Sequence, residues 1–162
     1  METVLRITHE VYDKVLAHCQ SAYPKEACGI LAGAEGTVRQ VYRMTNLDAS
    51  PISYHMDPKE QLQVMKRLRQ AQQDMLAIYH SHTASAAYPS PVDVTLAVYP
   101  ETASVLISLR KDIVRLVRRP ALARFLARSF GWVFRLFGVK PEIRSYYIID
   151  GRITEDDLRI EG

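Results

Sequence analysis

Cysteine is nearly absent: the 162 residues hold two, Cys19 and Cys28, at no short metal-binding or redox spacing, so a Cys-x-x-Cys metal site or redox centre is excluded. Glycine and proline are also sparse, at 7 and 8, which removes collagen-like and low-complexity architectures. No stretch of about 18 consecutive apolar residues occurs, so no membrane-spanning helix is expected. Met1-Glu2-Thr3 opens no basic-led apolar leader, and a reducing cytoplasm is the expected compartment. What is present is ordinary globular material, 48% hydrophobic and 24% charged. A chain of this length can bury roughly 70% of its unfolded surface in one core.

The net charge of +3 conceals an uneven distribution. Residues 110 to 140 contain nine basic side chains against one acid, Asp112, which is +8 and leaves −5 for the rest of the chain.

Hydrophobic periodicity predicts a mixed α/β order. Thr3 to Ile7 reads as a strand, and Thr8 as the cap of a helix with Val11, Val15 and Leu16 on one face, ending near Pro24. Ala27 to Ala32 and Val38 to Met44 form a hairpin about a turn at residues 33–36. After an extended segment to Asp57-Pro58, Leu62, Met65 and Leu68 recur at helical spacing. Met75 to Ser81 is a strand, Ser90-Pro91 opens a short helix through Ala97, and Ala103 to Leu109 is another strand. Ile143 to Ile149 and Arg152 to Ile160 flank Asp150-Gly151, a strong hairpin signal.

The chemistry is concentrated in Tyr79-His80-Ser81-His82-Thr83 and in Ser90-Pro91-Val92-Asp93. Histidines separated by one residue on a strand point to the same side, so both imidazoles can reach one ion. Asp93, in the first turn of the next helix, can bring a carboxylate oxygen to the same point. Two nitrogens and an oxygen suit zinc, and three protein ligands leave a fourth position for water, the pattern of a catalytic site. Such a water has its pKa lowered to about 7 and needs a carboxylate to take its proton. Glu26, at the entry to an apolar strand, is the candidate base. Ser90 is the candidate donor to an oxyanion, a role worth on the order of 3 kcal/mol.

Each residue also has an ordinary explanation. Ser90-Pro91-Val92-Asp93 is a good helix start, with serine at the cap and an acid three residues on. Glu26 taken alone reads as a solvated acid, and the histidine pair taken alone as surface or core residues. Capping explains neither the two histidines nor their alternation, and one serine can serve both purposes. Cys28 shares the strand side of Glu26 but reads as a small buried hydrophobe. Cys19 and His18, adjacent on a helix, cannot face one ligand together, and His55 reads as a strand surface residue.

His80, His82, Ser90 and Asp93 at this spacing, with Glu26 in a Pro-x-Glu-x-Cys-Gly-Ile-Leu context, resemble the JAMM (MPN+) zinc metalloproteases. The resemblance implies one Zn2+ per chain held by His80, His82 and Asp93, with Glu26 as general acid/base and Ser90 supporting the oxyanion. Many members carry proline after the second histidine, where this chain has Thr83-Ala84. Asn46 to Pro58, Ala87-Tyr88-Pro89-Ser90 and Arg144 to Glu155 are similar to the prokaryotic members that act on ubiquitin-like sulfur carriers, and the Thr83-Ala84 variant resembles the CysO-cysteine peptidases among them. It implies hydrolysis of the amide at the C-terminal glycine of a ubiquitin-like sulfur carrier, releasing cysteine for cysteine biosynthesis. A Gly-Gly tail entering as an extended strand suits such a site, since strand addition uses main-chain hydrogen bonds. The alternatives are an isopeptidase that removes ubiquitin-like modifiers from lysines, and a docking module that binds a carrier or a membrane.

Residues 110–140 depart from the resemblance and read as an insertion in a single domain spanning 1–162. On a helix from Ala121 to Phe137, Arg124, Arg128 and Arg135 fall within about 40° of one another, and large apolar residues, Trp132 among them, fill most of the remaining arc. Such a helix can cover the domain core, form a homodimer contact through 118–138, bind a partner protein, or lie on a membrane surface. Nucleic acid is not expected, because a basic footprint would be free of large aliphatics. The expected fold is a JAMM-like mixed β-sheet flanked by helices, with this basic amphipathic insertion.

Overall fold

The computed structural model describes residues 4–110 and 141–162. The strands are β1 (Leu5–Thr8), β2 (Cys28–Ala34), β3 (Thr37–Met44), β4 (Asp74–His82), β5 (Ala103–Ser108), β6 (Glu142–Ile149), β7 (Arg152–Asp156) and β8 (Leu158–Glu161). Among the described residues the helices are α1 (His9–Ala22), α2 (Pro58–Gln70) and α3 (Pro91–Leu96). The expected insertion, with its helix over 121–137 and the dimer, partner and membrane contacts read from it, lies outside the described residues. Among those described, no helix is long and apolar enough to cross a membrane.

The strands form one mixed eight-stranded sheet in the order β7-β6-β5-β4-β2-β3-β1-β8. Its two edge strands, β7 and β8, are separated in sequence by Asp157 alone, so the sheet curls until its ends approach each other. The Leu5 N–H donates to Asp157 O at 3.0 Å at that junction. Arg152 to Ile160 was expected as one strand. Instead the chain leaves β6 at Asp156 and pairs in parallel with β1 from Leu158 onward, because a curled sheet presents its far edge within one residue's reach.

One side of the sheet packs on α1, whose Val11, Val15 and Cys19 join Leu5, Ile7, Leu31, Val38, Tyr79, Val105 and Ile107 in the main core. Thr8 caps α1 as expected, its side chain accepting from the Val11 N–H at 3.2 Å. The other side is covered by α2 over Cys28, Ile30, Ala32 and Met44. Here the structure corrects the expected apolar stripe. Leu62 and Met65 are exposed at 55% and 38%, and the helix buries Val64 and Leu68. The stripe is narrow because α2 lies over a small cluster of four buried strand residues, Cys28, Ile30, Ala32 and Met44, rather than over the main core. The β2–β3 turn is also tighter than expected: β2 runs to Ala34, and Glu35 and Gly36 turn at φ of 52° and 72°, the left-handed pair a two-residue hairpin requires.

The central pairs set the site. Antiparallel β2 and β4 place Cys28 opposite His80, and parallel β4 and β5 place His80 beside Leu106.

Candidate active site

Alternation along β4 sends His80 and His82 to the α2 side, while Tyr79 faces α1 in the main core. Both histidines are buried. Their Nε2 atoms approach to 3.1 Å. Asp93, in the first turn of α3, spans the pair, with Oδ1 at 3.3 Å from His80 Nε2 and Oδ2 at 3.4 Å from His82 Nε2. Among the described residues these three form a group whose ligand atoms all lie within 4.8 Å of one another.

The helix cap and the carboxylate placement are the same structure. Ser90 N–H donates to Asp93 Oδ2 at 2.7 Å, and Asp93 N–H donates to Ser90 Oγ at 3.2 Å, closing a capping box. The helical start thus fixes the aspartate rotamer. With Ser90 Oγ accepting from Asp93, its own hydrogen remains to donate elsewhere.

His82 Nδ1 stands 2.8 Å from Ala86 O, an acceptor that requires the hydrogen on Nδ1 and leaves the Nε2 lone pair turned to the site. Burial drives His80 toward its neutral form, against the pull of Asp93. For Asp93, burial opposes ionisation, but hydrogen bonding with His80, His82 and Ser90 outweighs it and holds the carboxyl well below the usual range. Burial also works against a charged His82, yet the Asp93 hydrogen bond, Ala86 O and Asp93's charge together raise its affinity for a proton. Two imidazole nitrogens and an ionised carboxylate at these separations fit zinc.

Glu26 sits two residues ahead of β2 and is 5% exposed. Burial raises its pKa to about 7; the His82 interaction opposes the rise and the Asp93 carboxylate adds to it. A carboxyl near that value can both accept and return a proton at neutral pH. The structure therefore brings Glu26, His80, His82, Ser90 and Asp93 into one neighbourhood.

The other singled-out residues take no part in it. Cys28 lies across the β2–β4 pairing from His80, but it is fully buried, and burial among nearby carboxylates pushes its thiol up to about 12, which makes it inert. His18 Nδ1 lies 2.7 Å from the Tyr79 hydroxyl, on the α1 side. His55 is exposed, its N–H held by Asn46 Oδ1 at 3.1 Å.

Three contributors were given no supporting role from the sequence. The Tyr54 ring stacks on His80 with centroids 4.5 Å apart. Thr83 Oγ1 donates to Pro51 O at 2.9 Å, tying the loop before α2 to the end of β4. Ser81 Oγ, between the histidines, accepts from the Ala27 N–H at 2.9 Å. Beside His80 and Asp93 opens a shallow recess lined by Tyr54, Ile78, Leu96, Val98, Tyr99 and Ile148.

Residues 8–120 match the family described as prokaryotic homologs of the JAB domain. The CysO-cysteine peptidase of Mycobacterium tuberculosis is 36% identical over 159 residues, covering 97% of this chain and 91% of that protein. The desampylase of Haloferax volcanii is 31% identical over 103 residues, 59% of this chain and 74% of that protein. Among solved structures, protein DSY2949 of Desulfitobacterium hafniense superposes with a TM-score of 0.72 at 31% identity, over 96% of this chain and 92% of that one. The chain belongs to the prokaryotic JAB-domain family, the JAMM (MPN+) group its residues first resembled, and is a peptidase of that type.

Proposed function

We propose that the protein is a zinc-dependent hydrolase of the amide at the C-terminal glycine of a ubiquitin-like sulfur carrier, with cysteine as the leaving group. The observation that carries this reading is the convergence of the His80 and His82 Nε2 atoms on both Asp93 oxygens beside a buried Glu26. The likeness to the CysO-cysteine peptidase along 97% of the chain supports the cysteine leaving group.

His80, His82 and Asp93 would hold the ion, which when bound supplies Lewis-acid chemistry at the scissile carbonyl. Glu26 takes a proton from the attacking water as its oxygen bonds to the carbonyl carbon, then returns that proton to the cysteine nitrogen as the C–N bond breaks. The products are the free carrier carboxylate and cysteine. Ser90 Oγ, oriented by the Asp93 N–H, donates to the oxygen on which negative charge develops. The chain segments bordering the site carry exposed apolar side chains, Leu47 and Ile52 on the loop tied to Thr83, and Val92, Leu96 and Val98 on and after α3. Such a rim favours a protein substrate over a small free molecule. Both cysteines are free thiols, in keeping with a reducing cytoplasm.

Incubating the zinc-loaded protein with a carrier–cysteine adduct and, separately, a carrier–lysine conjugate, with mass spectrometry before and after, tests the reading. Loss of the cysteine mass from the first alone, abolished by a chelator, is expected. Cleavage of both assigns the broader isopeptidase activity suggested by the likeness to the desampylase. Cleavage of neither overturns the proposal and leaves the docking module.

A further inference from the structure

Glu26 belongs to no helix or strand, since α1 ends at Ala22 and β2 begins at Cys28. Its peptide is nevertheless held at both polar groups by one loop, residues 45–57. The Glu26 N–H donates to Ser50 O at 2.8 Å, and Glu26 O accepts from Asn46 Nδ2 at 2.9 Å. Asn46 uses its whole hydrogen-bonding capacity. Nδ2 also donates to Ser53 O at 3.1 Å, and Oδ1 accepts from the Asp48 and His55 N–H groups, each at 3.1 Å. A side-chain amide has two donors and two acceptor positions, and here all four meet backbone.

Three of those bonds fold the loop back on itself, together with the Asn46–Met56 bridge. The fourth leaves the loop and ends on Glu26. A self-contained loop has no use for that bond, whereas a carboxylate on an irregular segment needs its Cα fixed. Neither His80, His82 nor Asp93 is bonded to Asn46; they are carried by β4 and α3.

We infer that Asn46 is a positioning residue, which sets the Glu26 carboxylate relative to His80, His82 and Asp93 by holding the Glu26 carbonyl. The inference rests on the role given to Glu26 above. It separates the two halves of the site: strand and helix hold the metal ligands, and the Asn46 loop holds the proton carrier. A misplacement of about 1 Å at such a group is enough to lower turnover on the order of 100-fold.

Two variants divide the bonds. Asn46→Ala removes all four, and Asn46→Asp keeps the two acceptor bonds while losing both donors. Backbone amide exchange by NMR, zinc affinity by chelator competition, and kcat and KM on the carrier–cysteine adduct are read on the zinc-loaded protein. The Glu26 N–H is bonded to Ser50 O on the same loop, so once that loop loses its anchor on the Glu26 carbonyl, the Glu26 amide is expected to exchange at least about tenfold faster in both variants, while Tyr79 and Leu106 in the sheet keep their protection. Zinc affinity and KM are expected to stay within about twofold, and kcat to fall about 10- to 100-fold. In a Glu26→Gln background, Asn46→Ala is expected to cost nothing further in rate. Asp48 and His55 amides stay protected in Asn46→Asp only. Unchanged Glu26 exchange in both variants overturns the inference, as does faster exchange with undiminished kcat. Loss of zinc affinity, kcat and sheet protection together also overturns it, because that is the signature of a purely structural side chain. If Asn46→Ala does not fold, Asn46→Asp decides alone. If the wild type cleaves no carrier adduct, the functional reading fails, and Glu26 amide exchange still decides whether Asn46 holds that peptide.

Discussion

Ser81 and Ala27 hold each other twice: the Ala27 N–H donates to Ser81 Oγ at 2.9 Å, and the Ser81 N–H donates to Ala27 O at 3.0 Å. Glu26 directly precedes Ala27 and both histidines flank Ser81, so this pair keeps the acid in register with the imidazoles. Removing the hydroxyl in Ser81→Ala leaves a fully buried N–H unsatisfied, which costs about 1–3 kcal/mol. Urea unfolding of the two proteins measures it; an unchanged midpoint would mean that Ala27 finds another acceptor.

Glu26→Gln keeps the shape of the side chain and removes its proton traffic. Zinc content is expected to be unaltered and turnover to fall by about 10² to 10⁴. The same substitution should alter metal-free stability with a definite sign. Burial raises the Glu26 pKa from 4.5 to about 7, so the folded state favours the protonated acid, and its contribution is lost as pH rises through that window. Glu26→Gln is therefore expected to gain on the wild type in the metal-free protein as pH increases from about 4.5 to 7. Thermal melts in chelator across that range read the difference.

The His18 dependence runs the other way. Burial, assisted by the Arg43 charge, lowers its pKa from 6.5 to about 4. Between those values the unfolded chain takes a proton that the folded imidazole, bonded to Tyr79, refuses. Stability is thus complete above pH 6.5 and declines as pH falls toward 4. A His18→Gln variant should show a flatter thermal-melt profile across that window, and an identical slope would remove His18 as the cause.

Gly29 lies where β2 passes under Tyr79. A Cβ there would collide with Tyr42 O and with the Tyr79 ring, neither of which can move freely inside a sheet. Gly29→Ala is expected to destabilise by about 1–3 kcal/mol, and, since Tyr79 adjoins His80, to weaken zinc binding as well. Calorimetry with and without zinc checks both.

The convergence of the candidate residues was legible where a local rule governs it: alternation places His80 and His82 on one side of β4, and a capping box aims Asp93 through Ser90. Glu26 stood out as an acid at the mouth of an apolar strand. What supports them was not legible. Asn46 reads as a turn residue, and only the folded loop reveals its bond to Glu26. Tyr54 needs the return of residues 53–56 beside β4 before it can stack on His80. The same limit explains the fold. Pairing of β8 with β1 at the far edge depends on sheet curl, which no window of neighbouring residues encodes. Leu68 was expected on the apolar side of α2, but its buried companion Val64 was hidden because Leu62 and Met65 satisfy the same helical spacing.

Anomalous diffraction at the zinc absorption edge, from crystals grown with zinc, tests the central claim most directly. One peak per chain is expected, about 2.0–2.2 Å from His80 Nε2, His82 Nε2 and an Asp93 carboxylate oxygen, with the Glu26 carboxyl turned toward the remaining position. A peak elsewhere, or none at these three residues in a zinc-saturated crystal, would contradict the account.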